Sequence, residues 1–135
     1  MFSNRTEYAI RALRELAISD ELKKSEDIAE NQRIPPKFLP HILSDLARAG
    51  IVKTSRGYGG GIELNRPPKE ISFKSIVDAV QGPIVTYDCL VGIEDCDMSS
   101  DCTLKPIWKK LQHAVEEILE STTLDDLVNQ NRSEV

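Results

Sequence analysis

The alternation of apolar and polar positions in the first third of the chain predicts two helices ahead of a proline-rich break. The first is predicted over about 4–18, where apolar residues recur at helical spacing and Asn4 and Glu7 have the spacing of a capping box. Ser25 precedes two acidic residues, as at a capped helix start, so a second, short helix is predicted from there to about Gln32.

A third helix is predicted after the break, ending at Gly50. Its apolar face carries Phe38, Leu39, Ile42, Leu43 and Leu46. Its polar face carries Lys37, His41, Ser44 and Arg48. Because a proline is tolerated only in the first turn of a helix, Pro40 requires that the helix starts later than its apolar pattern or bends there.

The next segment has the pattern of a β-hairpin. Strands are predicted at 51–55 and 62–64, joined by a turn at 56–61 that holds four of the seven glycines. The turn lacks the Lys-Ser/Thr pair and the following helix of a nucleotide-binding loop. Three helices followed by a hairpin predict a winged helix-turn-helix, mainly α with one small hairpin, whose third helix enters the major groove of DNA. A winged helix that only binds proteins is the alternative.

The second half of the chain predicts three further helices. Ser72 can cap a helix that runs to Val80, and Pro106 suits the first position of a long helix. Thr123 and Asp126 can cap a last short helix. We expect one compact domain with a DNA-binding region over 1–68 and a second region over 69–135.

The long helix carries an apolar stripe with steps of 3, 4 and 3 residues. Its members are Trp108, Leu111, Val115 and Ile118. The stripe could pack within one chain, but a winged helix that reads two half-sites needs a dimer, so we predict a homodimerisation helix. Trp108 is expected to be a core or dimer anchor.

Composition and charge support this picture. The chain has 135 residues, of which 40% are hydrophobic and 29% charged, which fits a single globular domain. The net charge of -5 is uneven: residues 1–69 hold 12 Lys and Arg against 9 Asp and Glu. Basic residues concentrate over 33–56, which favours DNA as a partner. No secretion signal and no apolar run of about 18–20 residues is present, so we expect a cytoplasmic protein without a membrane partner.

All three cysteines lie in a segment without periodicity. Cys89, Cys96 and Cys102 are separated by six and five residues and flanked by acids, which argues against ordinary burial. Converging thiolates suit an iron–sulfur cluster or zinc, although zinc sites usually have more closely spaced pairs. Redox-active thiols are the alternative.

These features resemble the winged-helix bacterial regulators that include the iron–sulfur regulator IscR, the nitric-oxide sensor NsrR and the iron-responsive RirA. The matching stretches are residues 8–13, 47–52 and 56–61, the three cysteines, and residues 123–127. The resemblance covers almost the whole chain, and its specific part is the glycine-rich wing combined with the three-cysteine segment.

The resemblance implies a homodimer that crosses near 106–121 and carries one cluster per subunit that controls DNA affinity. By position, it places four residues of the third helix in the major groove: Lys37, Phe38, His41 and Ser44. Arg56 would enter the minor groove beside Gly57 and Tyr58 of the wing.

The fourth cluster ligand departs from the IscR-like pattern. The histidine expected three residues after the last cysteine is replaced by Lys105, and His113 is poorly placed to substitute. NsrR-like members use an acid from the first helix of the other subunit, and the matching residue is Glu7. Glu7 is therefore either a ligand or a helix cap, with Asp95 and Asp101 as further candidates. A [2Fe–2S] cluster is slightly favoured over [4Fe–4S].

The sequence thus predicts a transcription regulator, expected to be a repressor rather than an enzyme, whose operator affinity responds to redox state, nitric oxide or iron. No nucleotide cofactor is expected. The alternatives are a clusterless or zinc-bound repressor that uses thiols or a protein partner as its signal and, less favoured, a redox carrier.

Overall fold

The computed structural model describes residues 2–19, 21–57, 59–86 and 103–133. Its elements in chain order are α1 (Asn4–Ser19), α2 (Ser25–Gln32), α3 (Leu39–Arg48), β1 (Val52–Ser55), β2 (Gly61–Leu64), a 3-10 turn (Pro68–Glu70), α4 (Phe73–Val80), α5 (Lys105–Ser121) and α6 (Leu124–Ser133). The predicted mainly helical fold with one antiparallel hairpin is confirmed. No helix among these residues is long and apolar enough to cross a membrane.

One apolar core joins the two halves of the sequence. α1 contacts α2, α3, α4 and α6, so it lies at the centre of the helical packing. The largest fully buried aliphatic side chains come from most of the elements and their flanks: Leu13, Ile28, Leu39, Ile42, Leu46, Ile51, Ile71, Ile76 and Leu124. Burying each such side chain stabilises the fold by about 1.5–3 kcal/mol. The regions 1–68 and 69–135 therefore share their hydrophobic core.

The hairpin is attached to the chain just ahead of α2. Its register runs from the pair Val52 and Leu64 to the pair Ser55 and Gly61. The Ile62 N–H donates to the carbonyl of Lys23 at 2.7 Å, and the Lys23 N–H donates back to the Ile62 carbonyl at 3.0 Å. These two bonds fix the wing relative to the helix-turn-helix.

Two predicted helix caps are wrong. The Ser3 hydroxyl, not Asn4, caps α1 by accepting from the Thr6 N–H at 3.2 Å, because the helix already begins at Asn4. Glu7 closes no capping box; its carboxylate accepts from Arg11 instead. Ser25 is the first residue of α2 rather than its cap, and the cap position falls on Lys24. Because Lys23 pairs with β2, the chain is extended up to that residue, and α2 begins two residues later at Ser25.

The other start signals agree with the structure more closely. α3 begins at Leu39, so Pro40 lies in its first turn and the helix starts later than its apolar pattern. The Ser72 hydroxyl accepts from the Ser75 N–H at 3.1 Å, which confirms the α4 cap. The reciprocal bonds between Thr123 and Asp126 confirm the capping box of α6. Pro106 is the second helical residue of α5, one position later than predicted.

The structure divides the predicted stripe of α5 between two edges. Val115 packs beside Leu119 in a cluster that includes Val77 of α4, so Val115 belongs to the subunit's own packing. Trp108 is half-buried. The outer edge leaves four large apolar side chains about half exposed or more: Leu104, Ile107, Leu111 and Ile118. The exposed stripe thus includes two predicted residues and two that were not predicted.

Candidate nucleic-acid interface

α3 has one buried face and one exposed face. Four leucine and isoleucine side chains anchor the buried face: Leu39, Ile42, Leu43 and Leu46. The exposed residues are those predicted to face DNA together with the end of the helix: Lys37, Phe38, His41, Ser44 and Arg48. The core therefore fixes the orientation of a polar and basic surface.

Phe38 does not join the apolar face to which its sequence position assigned it. It is 43% exposed and immediately precedes α3, so its ring lies outside the core. The ring stacks on Tyr8 of α1 with the centroids 6.4 Å apart. The Lys37 ammonium lies 5.4 Å from the Phe38 centroid, and the Arg11 guanidinium 5.7 Å from that of Tyr8. Cation–π attraction at both ends supports the stack.

A charged cluster lies beside this surface. Arg5 of α1 donates to Asp45 Oδ2 at 2.6 Å, and Arg48 donates to Asp45 Oδ1 at 3.4 Å. These three residues line a cleft of about 360 Å³ together with Phe38, His41 and Ser44. Sequence reasoning missed Arg5, because it lies forty positions from Asp45 in the sequence and no local pattern links them.

The wing presents Arg56 and Gly57 at an exposed tip. Gly57 and Gly59 have φ of 92° and 80°, which L-residues with a side chain rarely adopt. A Cβ on Gly60 would overlap the carbonyl oxygen of Ser55. The glycines therefore permit the tight turn that carries Arg56. Tyr58, predicted to contact DNA, lies outside the described residues.

Of the predicted metal ligands, only Glu7 lies in the part of the chain that the structure describes. Cys89, Cys96 and Cys102, like Asp95 and Asp101, lie outside that part. Within it, no group of three or more His, Cys, Asp or Glu could hold a metal ion. The Glu7 side chain is 58% exposed and accepts from Arg11 Nη2 at 2.6 Å. Glu7 thus offers an accessible carboxylate outside the core.

Comparison with known proteins identifies this architecture. Residues 2–130 match Rrf2, described as an iron-dependent transcriptional regulator family. The chain belongs to the Rrf2 family. It is 33% identical to the HTH-type transcriptional regulator NsrR of Oceanobacillus iheyensis over 126 residues, which are 91% of this chain and 86% of the relative. The predicted resemblance is therefore confirmed.

Solved structures of the Rrf2 family share the fold. CymR, the global cysteine regulator of B. subtilis, superposes with a TM-score of 0.80 at 29% identity, covering 96% of this chain and 97% of CymR. IscR of T. potens gives a TM-score of 0.75 at 25% identity, covering 100% and 91% of the two chains. The chain is thus a winged-helix transcription regulator of the Rrf2 family, and DNA binding and repression accord with that family.

Proposed function

We propose that this Rrf2-family chain is a homodimeric repressor that reads operator DNA with α3 and the wing. The exposed face of α3 carries the proposal. His41 and Ser44 project from the exposed face of α3, whose opposite face is engaged in the core, and Lys37 lies exposed two residues ahead of the helix. Such a helix can enter a major groove with its polar side chains and the exposed ring of Phe38 towards the base edges, while Arg56 at the wing tip reaches the narrower groove.

The outer edge of α5 is the proposed dimer interface. Leu104, Ile107, Leu111 and Ile118 form one exposed apolar stripe along a 17-residue helix. Pairing this stripe with its copy removes apolar surface from water and places two α3 helices on one duplex. The dimer thereby matches the two half-sites that winged-helix readers commonly recognise.

We further propose that an iron–sulfur cluster controls operator affinity. Its support is the iron-dependent description of the family and the donor chemistry of the chain. Three cysteine thiolates suit iron, and Glu7 would complete the ligand set from the other subunit. A [2Fe–2S] cluster remains slightly favoured, and the cluster would supply sensitivity to oxidants, nitric oxide or iron supply.

A second candidate replaces the cluster by thiol or zinc chemistry. It is favoured by the likeness to CymR, which is described as a global cysteine regulator. In this alternative, Cys89, Cys96 and Cys102 respond directly to a thiol signal or hold zinc, and DNA is read by the same surface.

The test begins with operator selection from a random duplex library, followed by titration of the selected duplex. Protein purified without oxygen is assayed for visible absorption, iron, sulfide and zinc, and its affinity is compared before and after metal removal. Stoichiometric iron and sulfide with a change in affinity support cluster control. Operator-binding protein that holds no iron or sulfide supports the second candidate, with zinc marking its metal-bound form, and the absence of any selected sequence contradicts the proposed DNA reading.

A further inference from the structure

We propose that Arg5 and Arg48 form a binding site for a DNA backbone phosphodiester, held in position by Asp45. The inference rests on the proposed function and adds a contact from α1 to it. It starts from the charged cluster beside α3, where a single carboxylate accepts from two guanidinium groups, one on each of its oxygens.

The exposure of these side chains leaves donors available for a ligand. The Arg5 side chain is 46% exposed and that of Arg48 is 76% exposed, whereas that of Asp45 is 20% exposed. A guanidinium has five N–H donors, and the bonds to Asp45 use one from each arginine. The cluster keeps a net positive charge, and its free donors suit the oxygens of a phosphate, which arginine binds in a forked geometry.

The position of the cluster specifies the source of that phosphate. The cleft that Arg5, Asp45 and Arg48 line also includes His41 and Ser44, the residues proposed to read bases. A duplex that places its groove over His41 and Ser44 brings a backbone strand across the edge of the same surface. Phosphate contacts of this kind fix the register of a protein on DNA without reading its sequence.

Asp45 acts as a positioning residue in this arrangement. A carboxylate on a DNA-binding face lowers the positive potential, so electrostatics alone predicts that its removal strengthens binding. Its bonds to Arg5 and Arg48, however, hold two long side chains before DNA arrives, and the bond to Arg5 also links α1 to α3. Fixing them in advance reduces the entropy lost on binding.

The experiment measures the dependence of affinity on salt concentration. Each phosphate contact contributes about 0.9 to the slope of log affinity against log salt. We expect Arg5→Ala and Arg48→Ala each to lower that slope by about one and to weaken binding by about tenfold, equally on the selected operator and on a scrambled duplex. Arg5→Lys keeps the charge and should retain the slope.

Lys69→Ala is the matched control. It removes one positive charge from an exposed residue in the 3-10 turn, which packs against α6. Its slope should equal that of the wild type. If Arg5→Ala and Arg48→Ala also leave the slope unchanged while Arg56→Ala lowers it, the phosphate site is wrong and the proposed DNA reading stands. If no variant, nor the wild type, binds DNA, the proposed function itself fails.

Asp45→Ala tests the positioning role, with circular dichroism confirming the fold. We expect weaker binding on all duplexes, despite the gain of one net positive charge. Tighter binding, or a change of preference confined to one base pair, overturns the positioning role, since a carboxylate that reads DNA accepts from the cytosine amino group.

Discussion

Arg56 lies at the exposed tip of the wing, where its side chain is available to contact DNA. It lies exposed where β1 enters the glycine turn, away from the hydrophobic core. We expect Arg56→Ala to weaken operator binding and to reduce the salt slope by about one, because a guanidinium gains from the enhanced negative potential of a narrow minor groove. Titrations at matched salt check this. Wild-type affinity in a folded Arg56→Ala protein would remove the wing from the interface.

Gly60 affects the same wing through the backbone. Gly60→Ala places a methyl group against the Ser55 carbonyl, so the turn has to shift. We expect reduced operator affinity and a lower melting temperature. Gly59→Ala is the comparison: it meets no atom within 4 Å but adopts a φ of 80°, and its cost should be near 1–2 kcal/mol. A smaller loss of stability for Gly60→Ala than for Gly59→Ala would contradict the steric argument.

The roles of some single residues could be predicted from the sequence, and the roles of others could not. The polar face of α3 was predictable, because helical periodicity separates Lys37, His41 and Ser44 from the leucines. The contribution of Arg5 was not, since it depends on α1 and α3 meeting in space. The role of Glu7 was equally ambiguous, since its position suited either a helix cap or a cluster ligand; the cap at Ser3 removes the first, and the ion pair with Arg11 four residues on was not predicted.

At the scale of elements, substitutions on the two edges of α5 should affect different properties: those on the outer edge dimerisation, and those on the inner edge folding stability. Leu111 and Ile118 are 46% and 64% exposed, whereas Leu119 is 7% exposed. We expect Leu111→Ala with Ile118→Ala to dissociate the dimer and weaken operator binding while the subunit stays folded. Leu119→Ala, the matched core control, should cost about 2–5 kcal/mol of folding stability.

Sedimentation equilibrium and thermal unfolding distinguish these outcomes. If the Leu111 and Ile118 double variant remains an unchanged dimer, the outer edge of α5 faces solvent or another partner. Loss of folding in the same variant would instead show that the stripe packs within the subunit.

The periodicity of α5 identified an apolar surface, but it did not show which of its residues pack within the subunit and which stay exposed. Trp108, Leu111, Val115 and Ile118 share one side of a helix, and nothing in their spacing says which edge α4 covers. The structure assigns Val115 to the edge beside Val77 and leaves Leu111 outside. By contrast, the α4 and α6 starts were predictable, because the capping bonds of Ser72 and Thr123 form within one helical turn.

At the scale of the whole molecule, α1 connects the proposed activities. Its buried residues pack at the centre of the core, while exposed Arg5 and half-buried Tyr8 contact Asp45 and Phe38 at the proposed DNA surface. Glu7 lies between them in sequence, and its side chain is 58% exposed. In the proposed dimer, a change at Glu7 would therefore act on the helix that supports the recognition helix.

The last prediction tests the cluster and its fourth ligand in the assembled dimer. Replacing Cys89, Cys96 or Cys102 by Ser should abolish visible absorption, because each is expected to supply a thiolate. A carboxylate is a harder and weaker ligand for iron than a thiolate, so Glu7→Gln should retain some cluster, shift its spectrum and hasten its loss.

Arg11→Ala is the control for Glu7, because it breaks their ion pair and keeps the carboxylate. An exposed pair of this spacing contributes only about 0.3–0.5 kcal/mol, so Glu7→Gln should melt close to the wild type. Arg11→Ala also loses the contact with Tyr8 and the bond to the Gln32 carbonyl, so it should melt lower. Absorption and melting temperature are measured on each anaerobically reconstituted protein. A spectral shift in Glu7→Gln but not in Arg11→Ala assigns the ligand. Unchanged spectra in both remove Glu7 from the ligand set and leave Asp95, Asp101 or an exogenous donor, whereas colourless wild-type protein contradicts the cluster itself.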